Sequence, residues 1–275
     1  MAATIALRVL GARSSAGGQA VIISIISLSA IMTASVRIFM EIVEACRRGV
    51  RMQPRSSSDK EYFAQDWFAD RLREAALPFQ QQGRNSYPDY WVNVDPIEGY
   101  EVKSLGLNPN GQPARTTIDF NSSIPSGRKE NRNIFLVFFV YEGAGASPRA
   151  VHSVSLAHAD LINCDHAVAD EHINVAVHEF GSYADGFIRN RKMYVFPHPI
   201  TIDPTGLGRQ RLIVPVEWRL SDRRLRKVHT LTRTVAPDCV HSFTIQMRGR
   251  GEADVTRIPY ANAREEHRFD VFEMA

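Results

Sequence analysis

The chain has 275 residues, 33 basic against 30 acidic side chains, 44% apolar residues and three cysteines. That apolar content excludes an intrinsically disordered chain, and three widely spaced cysteines exclude a disulfide scaffold. The length supports a substantial core, and a net charge of +3 says little until its distribution along the chain is considered.

In chain order, the first notable stretch is residues 20–36, AVIISIISLSAIMTASV, which hold no charge, with Arg8 and Arg13 before them and Arg37 after. A basic lead ahead of an apolar run has the form of a signal peptide or anchor. The run is short for a bilayer span, which takes about 20 residues, and Ser24, Ser27, Ser29, Thr33 and Ser35 lower its hydrophobicity. Three readings stay open: a membrane anchor, a buried or appended helix, and an extension from a mis-assigned start, with Met32, Met40 or Met52 as the true one. The last is favoured because the remainder reads as a soluble, cytoplasmic enzyme. Residues 1–51 are therefore set apart as an N-terminal apolar extension, and no membrane partner is expected.

Residues 52–60 (MQPRSSSDK) form a polar linker ending in a Ser/Asp cluster able to cap a helix, with Glu61 entering the first turn. From 61 to 77 the apolar residues Phe63, Ala64, Trp67, Phe68, Leu72, Ala75 and Ala76 recur near helical spacing, and Pro78 stops the run. A polar loop over 80–86 leads to a strand at 90–94, a turn at 95–99 and a second strand at 100–104. An Asn/Pro/Gly loop follows over 107–114. Residues 134–141, IFLVFFVY, are a continuous apolar run of strand length, expected at the centre of a sheet and buried on both faces. Further strands are expected at 151–156, 192–196 and 211–218, with Pro215 arguing that the last lies at an edge. The pattern predicts an α/β protein with a central mixed β-sheet flanked by helices.

The chemistry concentrates in one hairpin. Asp89 opens the first strand, and twelve residues later come Glu101, Val102 and Lys103. If the strands pair around the 95–99 turn, Asp89 and Glu101 converge at one end. Glu101 and Lys103, two apart, share a strand face while Val102 points into apolar packing. Two carboxylates and an ammonium at one point suit phosphodiester hydrolysis. The carboxylates hold Mg²⁺, and the lysine positions or deprotonates a water and adds positive charge beside the phosphate. A third acid from the neighbouring helix would complete the set. Glu61 is preferred and Glu74 is the alternative.

Charge elsewhere is uneven. Residues 205–250 hold ten basic and three acidic side chains, so they carry +7 and the rest of the chain −4. Nine of the ten are arginine, which suits bidentate contacts to phosphates, although a solvated basic face reads equally well from charge alone. Six of nine histidines lie between His152 and His198, but neither CxxC nor HExxH occurs, and no zinc site is expected. Phosphate-binding loops of the Walker type and a G-x-S-x-G elbow are also missing from the sequence.

Pro88-Asp89, the twelve-residue interval and Glu101-Val102-Lys103 resemble the signature of the PD-(D/E)XK nuclease superfamily, and helix, hairpin and buried strand follow in that superfamily's order. The resemblance covers roughly residues 59–141. Within the superfamily the chain looks most like a type II restriction endonuclease. The resemblance implies a restriction-endonuclease-like catalytic core over 52–145, with the remainder of the core and a C-terminal DNA-recognition region over 146–275. It implies Mg²⁺ held by Asp89, Glu101 and the Val102 carbonyl, with Lys103 organising the nucleophile and Glu61 supporting the metal or its waters. The expected partner is double-stranded DNA, cut by a homodimer, with a cognate methyltransferase in the same system but not in contact. Two polar passages suit DNA contact: Asn121, Ser122, Ser123 and Arg128 in one, Arg189, Arg191 and Lys192 in the other. The alternatives are a structure-specific or repair nuclease of the same superfamily, and a non-catalytic nucleic-acid-binding or membrane-tethered protein.

Overall fold

A computed structural model describes residues 33–83, 86–120, 125–163, 194–234, 242–247, 253–258 and 265–275. Its framework is one large mixed sheet in the order β1 (Phe79–Gln81), β2 (Tyr90–Val92), β3 (Glu98–Gly106), β6 (Arg132–Glu142), β7 (Ala150–His158), β9 (Gln210–Pro215), β13 (Glu266–Met274), β10 (Leu225–Thr234). A short β5 (Arg128–Lys129) pairs with the start of β6. The β3–β6 and β7–β9 pairs are parallel and the other ladders of the sheet antiparallel. Two smaller pairs lie off it, β4 (Thr117–Phe120) with β8 (Tyr194–Pro197), and β11 (Ser242–Met247) with β12 (Ala253–Ile258).

Strand β6 is central, as its unbroken apolar run requires. Residues Ile134 to Val140 are all buried, and their alternation divides the core in two. Phe135, Val137 and Phe139 pack with Tyr90, Tyr100 and Val102 under helices α1 (Ala34–Arg47) and α2 (Tyr62–Glu74). Ile134, Leu136 and Phe138 face the other way, with Leu105 of β3, toward Ile118, Phe120 and Phe196 of the β4–β8 layer and Ile200 of a short helix α3 (Pro199–Ile202). Each such side chain contributes about 1.5–3 kcal/mol when fully buried.

Helix α2 forms where the periodicity predicts it. Asp59 caps it by accepting from the backbone N–H groups of Glu61 and Tyr62, at 3.1 and 2.8 Å, so Glu61 is the cap position and not part of the first turn. Its apolar face is fastened by edge-to-face aromatic pairs, Phe63 on Tyr141 and Trp67 on Phe139, and by the Arg149 guanidinium 3.8 Å from the Phe63 ring centre.

Helix α1, from the region set apart as an extension, packs into the main core. The compact unit begins at Met32, and Ile38, Phe39, Ile42 and Val43 of α1 lie in the main core. No side chain of α1 itself caps the helix. Instead the Ser35 N–H donates 2.7 Å to the carboxylate of Glu98, a fully buried β3 residue that also accepts from the Tyr100 hydroxyl at 2.5 Å. Burial pushes Glu98 up to about 7, against the pull of those donors. Residues 1–32, and hence most of the 20–36 run, lie outside the described residues. Among the described residues no helix is long and apolar enough to cross a membrane.

Strand β9 lies inside the sheet, between β7 and β13, not at the edge that Pro215 suggested. Proline is tolerated there because it is the strand's last residue, where the ladder ends and an N–H is no longer needed. The strand expected at 192–196 is described as Tyr194–Pro197, since 192 and 193 fall outside the described residues.

Candidate active site

Strands β2 and β3 pair through Tyr90↔Tyr100 and then separate, which leaves Asp89 beside the still-extended β3. One Asp89 carboxylate oxygen, Oδ2, accepts the Val102 N–H at 2.8 Å. A strand residue turns its N–H and C=O to the same edge, so the Val102 carbonyl also faces this gap and not the β6 ladder. Two features hold the corner open. Pro88 packs over Gly99, where a Cβ would fall 2.6 Å from Pro88 Cγ and 2.5 Å from Ile134 Cδ1, so only glycine fits. The Tyr87 hydroxyl donates to the Ser126 carbonyl at 2.7 Å and accepts the Ser126 N–H at 3.0 Å, tying the chain before Asp89 to the loop ahead of β5.

Alternation places the predicted pair as expected. Val102 is in the α-helical side of the core, while Glu101 and Lys103 point to the opposite face, beside Leu105. Glu101 is 5% exposed and its Oε1 lies 2.8 Å from the Lys103 ammonium. Its other oxygen, Oε2, is buried with no hydrogen-bond partner. Lys103 lies 5.0 Å from the centre of the Phe120 ring, which supports the ammonium from below.

Electrostatics single this corner out. Burial, then the neighbouring Glu101 charge, raise Asp89 well above the usual carboxylate range, and the Lys103 ammonium and Val102 N–H offset only part of that rise. Burial likewise raises Glu101 against the opposing pull of Lys103 and of the Asp89 backbone N–H close by. Burial alone would lower Lys103, but Glu101 and Asp89 outweigh it and hold the ammonium above its ordinary value. Two carboxylates thus share one cation in a water-poor site. The exposed Glu61 at the entrance of α2 adds further negative potential on all three groups. Glu74 lies at the far end of α2, where its carboxylate is bound to Arg71 at 2.9 Å and Arg48 at 3.1 Å.

The sequence did not reveal Gln65. This buried α2 residue donates from Nε2 to Asp89 Oδ1 at 3.3 Å, so both Asp89 oxygens are engaged. The available signal was a polar residue on an otherwise apolar helix face, one turn after Glu61.

Among the described residues no group of three or more His, Cys, Asp or Glu side chains is arranged to hold a metal ion. The corner nonetheless fits Mg²⁺, which binds through one or two carboxylates and retains several waters. It offers an unpartnered buried Glu101 oxygen, a second acid, a strand carbonyl facing the same gap and a shortage of positive charge.

The other expected contacts divide. Arg128 is exposed on β5, whereas Asn121, Ser122, Ser123, Arg189, Arg191 and Lys192 lie outside the described residues. His198 caps α3, accepting the Thr201 N–H at Nδ1 while Nε2 meets the Arg115 carbonyl at 2.7 Å, and it stacks on Phe138, which is a structural task. Part of the basic segment is paired with acids, most of them outside it, and Arg248 and Arg250 lie outside the described residues. Arg211, Arg224, Arg226 and Lys227 pair with Asp203, Asp222, Glu273 and Asp270. No protein-family model, curated protein or solved structure matches the chain.

Proposed function

We propose that the protein is a Mg²⁺-dependent phosphodiester hydrolase acting on double-stranded DNA, of the type II restriction endonuclease kind. The observation that carries this reading is the buried Glu101 carboxylate, half bound to Lys103 and half unpartnered, facing Asp89 across a gap between two strands. Asp89, Glu101 and the Val102 carbonyl would hold the ion, with Glu61 placed to bind its waters. When bound, Mg²⁺ lowers the pKa of a coordinated water and offsets charge on the phosphoryl oxygens.

The chain's own groups supply the rest. Lys103 is held as an ammonium by Glu101 and Asp89, so it orients the attacking water and donates toward the scissile phosphate instead of removing a proton. Gln65 and the Val102 N–H fix the Asp89 carboxylate in one orientation. The Phe120 ring beneath Lys103 limits where its ammonium can swing. The order α2, the β2–β3 hairpin and central β6 also agrees with the nuclease resemblance. The restriction reading further predicts a homodimer and a companion methyltransferase, since two strands must be cut and the host's own sites shielded.

The test is digestion of unmethylated phage DNA with and without Mg²⁺, alongside Glu101→Ala. The reading expects discrete fragments that require Mg²⁺ and vanish in the variant. A Mg²⁺-dependent smear would shift the assignment to a structure-specific or nonspecific nuclease of the same chemistry. Intact DNA from folded protein would overturn it.

A further inference from the structure

The chain that enters the Asp89 corner is held from outside the β2 ladders. Asp89 lies one residue ahead of both of them, since each begins at Tyr90. Its carbonyl accepts the Gln82 N–H at 2.7 Å, and on its upstream side the anchor is Tyr87. That residue is gripped at both ends. Ser126 holds the hydroxyl through its N–H and its carbonyl, and the Lys129 ammonium donates to the Tyr87 carbonyl. A shift at Tyr87 passes to Asp89 through Pro88, which packs over Gly99. The Asp89 N–H lies close to the Glu101 carboxylate, and Asp89 Oδ2 takes the Val102 N–H. Both acids of the corner therefore depend on where the backbone at 89 is placed.

The clamp is itself firmly mounted. Asn163 Nδ2 donates to the Pro125 carbonyl at 2.6 Å, and Ser126 Oγ donates to the Arg128 carbonyl at 2.9 Å. The Gly127 N–H donates to Asp160 at 2.8 Å, and its carbonyl accepts the Ile134 N–H of β6 at 2.9 Å. A Cβ at Gly127 would fall 2.2 Å from the Asp160 carboxylate, so the loop closes tightly on the segment after β7. Register sets the direction of the lysine. Lys129 pairs with Arg132, so its side chain leaves the β5–β6 hairpin on the face that Ile134 and Tyr87 share.

Lys129 is an exposed residue, and ordering so long a side chain costs rotamer entropy. Here its ammonium is directed at a neutral carbonyl two residues from Asp89. We propose that Lys129 and Tyr87 are positioning residues that act through Asp89 to set the affinity of this corner for Mg²⁺. The proposal rests on the nuclease reading of the corner and names the groups that hold its ligands in place. Groups that orient metal ligands change metal affinity by about 10–100-fold when they are removed. The sign separates positioning from charge. If Lys129 acted on Mg²⁺ only through its own positive field, Lys129→Met would tighten binding. Loss of positioning weakens it.

The test is isothermal titration of Mg²⁺ into the metal-free full chain, without DNA, for the wild type, Lys129→Met and Tyr87→Phe, at a temperature where all three are folded. Lys129→Met leaves the core untouched, and Tyr87→Phe keeps the buried ring and removes only the hydroxyl. Each is expected to bind Mg²⁺ about 10-fold more weakly than the wild type. In cleavage of duplex DNA each should need about 10-fold more Mg²⁺ for its half-maximal rate, a shift along the metal axis that a loss of stability alone does not produce. Unchanged or tighter Mg²⁺ binding in a variant, beside a wild type that binds the ion and cleaves DNA, would overturn the role of that residue and leave the nuclease reading intact. Weaker binding in both variants of a wild type that binds Mg²⁺ but never cleaves DNA would support the positioning role and sink the nuclease reading. No Mg²⁺ binding by the folded wild type would overturn both.

Discussion

Two clusters of buried charge stand in this molecule, and they differ in one respect that separates a site from a brace. Around Arg211, which is 3% exposed, the charges close on themselves. Nη1 meets Asp203 at 2.6 Å and the Thr205 hydroxyl at 2.9 Å, Nε meets Glu273 at 3.2 Å, and His229 meets the same Asp203 oxygen at 3.0 Å. Around Glu101 the arithmetic does not close. Two acids share one ammonium, and a carboxylate oxygen is left buried without a partner. A satisfied cluster fixes strands β9, β10 and β13 and the loop before them. An unsatisfied one is held together by the surrounding packing and gains from a cation.

The largest expected effect is at the open cluster. Glu101→Ala should lower cleavage by about 10³-fold or more, on the scale at which removing one group that stabilises developing charge acts. The same change should leave melting temperature in EDTA unchanged or raise it, because it removes a desolvated, half-paired charge. A large loss of stability in EDTA would mean that Glu101 is a brace as well, and the contrast would fail.

Next comes the closed cluster. Arg211→Met should cost about 3 kcal/mol in urea unfolding, since it removes the one buried cation between Asp203 and Glu273 and leaves them His229 and the exposed Arg226. A cost below about 1 kcal/mol would show that those acids find water readily and that the network is surface-like.

The pH response is smaller and has a definite sign. Asp89, Glu101 and Glu98 all have folded pKa values raised above their unfolded ones, Glu98 to about 7. The folded state therefore binds more protons than the unfolded state. Their contribution is fully present at low pH and is lost as pH rises through the raised values. In EDTA, thermal stability should fall between about pH 5 and pH 8. Mg²⁺ should restore more at pH 8 than at pH 6, because ligand carboxylates must be ionised to bind it. Glu98→Gln should flatten the part of the slope that Mg²⁺ does not touch. A flat profile in EDTA for the wild type would remove the electrostatic argument.

Much of the corner was legible in the sequence because it is built from local rules. A turn between two β-rich runs set Asp89 opposite Glu101, and strand alternation put Glu101 and Lys103 on one face with Val102 on the other. The apolar run around Phe135 identified β6 for the same reason. Helix α1 was hidden by its continuity with the uncharged stretch before it, and its cap comes from Glu98, 63 residues away from Ser35. Strands β10 and β13 were hidden because charged side chains alternate along them, as in Glu266–Met274, and their pairing is long-range. The basic run over 205–250 could not be interpreted from the sequence for a related reason. Its arginines were counted without their partners, and Glu273 lies 62 residues beyond Arg211.

The most direct measurement is isothermal titration of Mg²⁺ into the metal-free protein at pH 7 in two buffers of different ionisation heat, for the wild type and Glu101→Gln. The account predicts that the wild type binds Mg²⁺ with release of protons, because acids held above their ordinary pKa must ionise, and that Glu101→Gln loses both the binding and the release. Equal binding by the two proteins, or no binding to folded wild type at millimolar Mg²⁺, would contradict it.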